Sequence, residues 1–143
     1  MKLKVTTFCT ILLLLTSCSS KIELAKKSLV GEWRLTRLIT TDLDSGDTYD
    51  ALDVEGTFVF TPVTLSLDYT AEGNRLQEEF EYTLIESKEN AGFTQVTRYD
   101  IDGARAFRVR FGDGTSDAHK DATKIVLEST DDGTFTQFDL MKI

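Results

Sequence analysis

From Gly31 to Ile143, apolar side chains recur at every second position rather than every third or fourth. That is the period of a strand with one buried face, and a chain written this way cannot be folded into helices without scattering its apolar groups round every face. Trp33 and Leu35 share a face, as do Phe58 and Phe60 in EGTFVF and Val63, Leu65, Leu67 and Tyr69 in VTLSLDY. Leu76, Phe80, Tyr82 and Leu84 take the even positions of LQEEFEYTLI, with Glu78 the exception. Phe93, Tyr99 and Ile101 follow on odd positions, then Phe107, Val109 and Phe111 in AFRVRF, then Ile125 and Leu127, and GTFTQFDLMKI closes the chain. Eight strands result. Turn chemistry separates them at Glu72-Gly73-Asn74, Glu89-Asn90, Asp102-Gly103 and Asp131-Asp132-Gly133. No intervening segment is long and apolar enough for a crossover helix, so neighbouring strands should pair antiparallel.

At 143 residues, with one proline and no Pro/Gly/Ser-rich linker, the chain has room for one core and not two. Two of its hairpins can be set in register on paper. A Glu89-Asn90 loop places Glu81 opposite Arg98 and Phe80 opposite Tyr99, with the charges on one face and the rings on the other. A three-residue loop from Asp102 to Ala104 sets Tyr99 against Phe107 and keeps the faces apart, so a bulged turn is expected there. In the final strand Phe135 and Phe138 have opposite parity, so either one faces out or a bulge lies between them, and Gln137 is a candidate to point inward.

Eight antiparallel strands, each with one apolar face, can stack as two sheets or close as an up-and-down barrel, and closure removes both edges. The stretch LVGEWRL bears on the choice. Gly31-x-Trp33 at the start of the first strand resembles the lipocalin signature, a Gly-x-Trp that packs under the closed end of an eight-stranded barrel. The resemblance implies an all-β, antiparallel up-and-down barrel over residues 29–143, with Trp33 as the barrel plug; the chain itself reads as a short helix or tether from Ile22 to Lys27 before it. Lipocalins also carry a Thr-Asp-Tyr-like turn where this chain reads GDGTSDAHKDA, and an arginine lying over the tryptophan, for which the nearest basic residue here is Lys142.

The other end of the chain speaks to location. Lys2 and Lys4 precede an apolar run from Phe8 to Leu15 that is interrupted only by Cys9 and Thr10. The run is far shorter than the ~20 residues of a membrane-spanning helix and fits a signal peptide. Leu15-Thr16-Ser17-Cys18 follows it and resembles the lipobox of bacterial lipoproteins. That resemblance implies cleavage after residue 17, acylation of Cys18, and a lipidated tether over 18–28. Ser19 stands where an aspartate would resemble an inner-membrane retention signal, so the outer membrane of a bacterial envelope is the expected location. With Cys9 removed and Cys18 a thioether, the domain would hold together without a disulfide. Losing Lys2 and Lys4 leaves 14 of the 16 basic residues against 24 acidic ones, a net −10. Such a balance argues against nucleic acid as a partner.

Catalytic chemistry is thin. One histidine, His119, sits in the loop SDAHKD and reads as solvated, and no Ser-His or Cys-His pair can be assembled, so the chain is not expected to be an enzyme. Glu79 and Glu81 alternate with Phe80 and Tyr82, and Arg108 and Arg110 alternate with Phe107, Val109 and Phe111, which turns all four outward. TTDLDSGDTYDALDVE carries Asp42, Asp44, Asp47, Asp50 and Asp53. The order Gly46-Asp47 inverts the turn of a calcium loop and its last place lacks Glu, so no metal is assigned and a solvated flap is expected. No cofactor is expected either.

Two functions remain open. In one, the barrel of a monomeric, membrane-anchored lipoprotein holds a small apolar or amphipathic ligand among Phe58, Phe60, Leu65, Leu67, Phe80, Tyr82, Tyr99 and Phe107. In the other, those side chains fill the barrel, which meets an envelope protein through its outside. Tyr82 and Tyr99 separate the two, because a buried phenol needs a partner: a ligand or water in a cavity, a protein group in a filled core.

Overall fold

The computed structural model describes residues 20–112 and 122–143. It contains α1 (Lys21–Leu29), β1 (Gly31–Asp42), β2 (Thr48–Asp50), β3 (Val54–Phe60), β4 (Thr64–Ala71), β5 (Asn74–Ala91), β6 (Thr94–Gly103), β7 (Phe107–Phe111), β8 (Lys124–Asp131) and β9 (Thr134–Lys142). All pairings are antiparallel, in the order β2-β1-β3-β4-β5-β6-β7-β8-β9, and β9 returns to β1. The result is an all-β barrel with a ring of eight strands. The ninth strand, β2, lies within the stretch read as a flap: Thr48–Asp50 folds back on Ile39–Thr41 of β1.

Within β1 the alternation breaks once. A register shift between Leu35 and Arg37 places Leu38 on the same buried side as Trp33 and Leu35. Elsewhere parity holds, and Phe58, Phe60, Leu65, Leu67, Phe80, Tyr82, Leu84, Tyr99, Ile101, Phe107, Val109 and Phe111 all fall in one core. Gly56 lies where β3 crosses β4 so closely that a Cβ would stand 2.4 Å from that of Tyr69. Its φ of 156° also disfavours any side chain.

Both paper registers need correction. The β5–β6 turn is Gly92-Phe93, not Glu89-Asn90, because Gly92 takes a φ of 64° that a tight hairpin turn uses and Asn90 stays paired with Gln95. Arg98 therefore faces Ser87, Tyr99 faces Glu86, and Glu81 faces Thr64 of β4. The slip is an even number of residues, so every side chain kept its face. Phe93, read as a strand residue, is at the tip. Between β6 and β7 the pairing is Ile101 with Phe107, so Tyr99 faces Val109 and the three connecting residues are Ala104 to Ala106 rather than Asp102 to Ala104. Asp102 and Gly103 stay in β6, held by Thr83 and Tyr82. Val63, read as an inward strand residue, lies in the β3–β4 turn and is 60% exposed.

β5 spans 18 residues and changes partner midway. Asn74 to Glu81 pair with β4, and Tyr82 to Ala91 pair with β6. The second half runs past the first residue of β4, on the side where the chain enters β1. There Ser87–Ala91 and Thr94–Arg98 form a ribbon with no third strand beside it.

The same end is closed by α1. Ser20 is its N-cap, accepting from the Glu23 N–H at 3.4 Å while the Glu23 carboxylate accepts from the Ser20 N–H at 3.2 Å. This reciprocal pair satisfies two donors that the first turn would otherwise leave open. Ala25, Ser28 and Leu29 are buried, and α1 packs against β5. Of the short helix or tether expected around residues 22–27, the helix is what forms, and it docks on the barrel end.

Candidate functional site

Three places could act on something outside the chain: the barrel interior, its outer wall and its two ends. The interior is crowded. Each of the eight side chains named for a ligand is 9% exposed or less. Phe58 and Phe138 lie 5.3 Å apart between ring centres, Phe60 and Tyr82 5.8 Å, Tyr99 and Phe111 5.7 Å, and Phe107 and Phe138 6.1 Å. These are the separations at which aromatic pairs attract, so rings on neighbouring strands and on strands two apart serve as one another's partners. The Tyr82 hydroxyl donates to the Thr61 carbonyl at 2.9 Å, a backbone acceptor in the β3–β4 turn. Burial raises the Tyr82 phenol above its ordinary pKa.

Trp33 is fully buried at the closed end. Its indole N–H donates to the Leu29 carbonyl at 2.7 Å, which satisfies one of the carbonyls left open at the end of α1. Lys142 stands with its ammonium 5.0 Å from the Trp33 ring centre and donates to the Ser28 carbonyl at 2.9 Å. One lysine thus ties the last strand to both the end of α1 and the Trp33 ring.

At the other end Glu78, the one charge among the inward positions from Leu76 to Leu84, finds Arg105 at 3.4 Å. The Arg105 guanidinium also lies 5.2 Å from the Phe107 ring centre. The break in alternation at Glu78 was the available signal, but its partner sits in the β6–β7 connection, where no periodicity could locate it. Around this end the flap is held by local hydrogen bonds. The Asp42 carboxylate accepts from the Asp44 and Ser45 N–H groups at 2.8 and 3.1 Å, which keeps its pKa below the usual carboxylate range. Arg37 does the same for Asp50 across β1 and β2 at 2.6 Å. Leu43, Tyr49 and Leu52 are exposed here, at 54%, 51% and 87%. Among the described residues no three His, Cys, Asp or Glu side chains could together hold a metal ion.

The outer wall carries ion pairs. Arg98 meets Asp100 at 2.9 Å, Arg108 meets Glu89 at 2.9 Å, Arg75 meets Asp68 at 2.8 Å, and Arg110 meets Glu128. An open groove of about 620 Å³ runs past Arg98, Asp100, Arg108, Glu128 and Phe135. A second of about 630 Å³ lies between β1, β3 and β4, beside Arg34, Glu55 and Arg75. Tyr82 and Tyr99 border neither. Most of these charges face one another, which suits a solvated wall better than an acid–base site. Phe138 is buried and Phe135 lies on the outer face opposite Thr130, with no bulge between them in β9. Gln137 shares that outer face, bonded to Asp139 at 2.7 Å, and so does not point inward. Cys18 and His119 lie outside the described residues.

No protein-family model, no curated protein and no solved structure matches this chain.

Proposed function

We propose that this chain is a lipoprotein of a bacterial envelope, anchored in the outer membrane through Cys18, whose filled barrel serves as a protein-interaction module. The observation that carries the second half is the partner of Tyr82. In a cavity its hydroxyl would be left for a ligand or water, whereas here the Thr61 carbonyl takes it. The tilted and edge-on rings around Phe138 support the same reading, because a pocket large enough for an apolar ligand would need them apart. The anchor is supported by the lipobox-like Leu15-Thr16-Ser17-Cys18 behind a short apolar run. No helix among the described residues is long and apolar enough to cross a membrane.

With the interior filled, recognition falls to the surface. The flap end offers exposed Leu43, Tyr49 and Leu52 amid aspartates, a mixture of apolar contact and negative charge that a basic-rimmed envelope protein would complement. Native mass spectrometry of the mature protein from its bacterial host, together with displacement of a fluorescent fatty acid, tests the reading. An acyl adduct on Cys18 and no saturable probe binding are expected. Saturable binding or a co-purifying small molecule would restore the ligand-holding barrel. An unmodified Cys18 would remove the anchor.

A further inference from the structure

We infer that the α1 end of the barrel is a membrane-docking face, with Phe93 as its inserting side chain. This rests on the anchor proposed above. Five independent placements converge there.

First, Ser20 begins the helix that closes this end, so only Ser19 lies between it and Cys18. Two peptide steps span at most about 7 Å, so an acylated Cys18 would hold α1 against the headgroups. Second, the β5–β6 ribbon, with no third strand beside it, runs past the closed end over five residue pairs, Ser87–Ala91 against Thr94–Arg98. That is about 17 Å of strand. Third, the tip of this ribbon is Phe93, 110% exposed and the most exposed large apolar side chain among the described residues. Asn90 to Thr97 around it carry no charge.

Fourth, other exposed apolar groups gather at this end. Val30 joins α1 to β1, Val63 is in the β3–β4 turn, and Ile143 follows β9, at 37%, 60% and 70% exposure. Fifth, all six lysines among the described residues stand here. Lys21, Lys26 and Lys27 are on α1, Lys88 is in the ribbon, Lys124 opens β8, and Lys142 closes β9. Lys142 is engaged with Ser28 and Trp33, and Lys88 with Thr97 at 2.8 Å. The other four make no ion pair among the described residues and are available to phosphate headgroups. Of the carboxylates nearby, Glu23 caps α1, Glu86 lies 3.7 Å from Lys88, and Glu89 holds Arg108, while Glu32 and Glu81 belong to the barrel wall. A basic, apolar face on a net-acidic protein fits one surface, an anionic phospholipid bilayer.

The test uses the full chain made in a bacterial host, with the mature protein reconstituted into phosphatidylethanolamine–phosphatidylglycerol vesicles. Phe93→Trp reports on the ribbon tip and Leu52→Trp on the flap, with buried Trp33 as a constant background. Lipids brominated along their acyl chains should quench the Phe93→Trp emission by about twofold or more and leave the Leu52→Trp emission unchanged. Replacing phosphatidylglycerol with phosphatidylcholine should weaken the quenching. If the Phe93→Trp emission stays water-like in protein whose Cys18 is acylated, or both reporters are quenched alike, the docking face is wrong while the anchor stands. An unacylated Cys18 overturns both.

Discussion

The two ends of the barrel are made from the same strands and solve opposite problems. At the α1 end, β1 begins with Trp33, which is fully buried beneath a helix whose own Leu29 and Ala25 have no exposure. At the flap end the same strand finishes in Asp42, whose carboxylate accepts two backbone N–H bonds in open solvent. One end is held by burial and the other by local hydrogen bonding. The difference teaches where perturbation should hurt. Apolar burial is worth kilocalories per side chain, whereas an exposed turn shares its bonds with water.

The hardest blow to that contrast is Trp33→Ala. Removing a buried aromatic of this size costs about 3–5 kcal/mol, a large part of what a small domain has. Urea unfolding should show a matching drop in midpoint, and a midpoint within error of the parent would mean that the closed end is not sustained by burial.

Tyr82→Phe sharpens the comparison at an intermediate scale. The ring contact with Phe60 survives while the Thr61 carbonyl loses its donor, so the loss should be about 1 kcal/mol. The parent Tyr82 should ionise at higher pH than an exposed tyrosine, because burial disfavours the phenolate. Absorbance at alkaline pH, compared between parent and Tyr82→Phe, measures this. A Tyr82 that titrates like free tyrosine would mean that water reaches the interior.

The smallest effect belongs to the flap. Asp42→Ala should leave the unfolding midpoint close to that of the parent but speed amide exchange at Asp44 and Ser45, whose N–H groups the carboxylate holds. Acid should imitate the substitution. The Asp42 pKa is lowered in the fold, so its contribution is present above the ordinary aspartate range and lost as pH falls through the depressed value. Exchange at these amides measured across that window should therefore rise on acidification in the parent and stay flat in Asp42→Ala.

Alternation was enough to place Phe58, Phe60, Leu65, Leu67, Phe80, Tyr82, Tyr99 and Phe107 in a single interior, because a strand in a barrel wall has one inner face and parity is all it needs to choose it. Trp33 was legible for the same reason. Register was not, since parity is blind to slips of two, four or six residues. Only the preference of Gly92 for positive φ and the length of β5 moved the hairpin to Phe93. A short helix was among the expectations for 22–27, but its docking was hidden: Ala25, Ser28 and Leu29 make a small buried stripe whose purpose appears once the barrel end is there to receive it.

By itself, then, the sequence determined the class of structure, the inward-facing set and the antiparallel order, all of which follow from spacing along one strand at a time. The tertiary structure alone decided which of the inward side chains meet. That depends on distances between side chains on strands far apart in the chain, such as Phe58 and Phe138, and on a backbone carbonyl, Thr61, arriving at a phenol twenty-one residues away. Closure brings those groups together, and no local pattern records it.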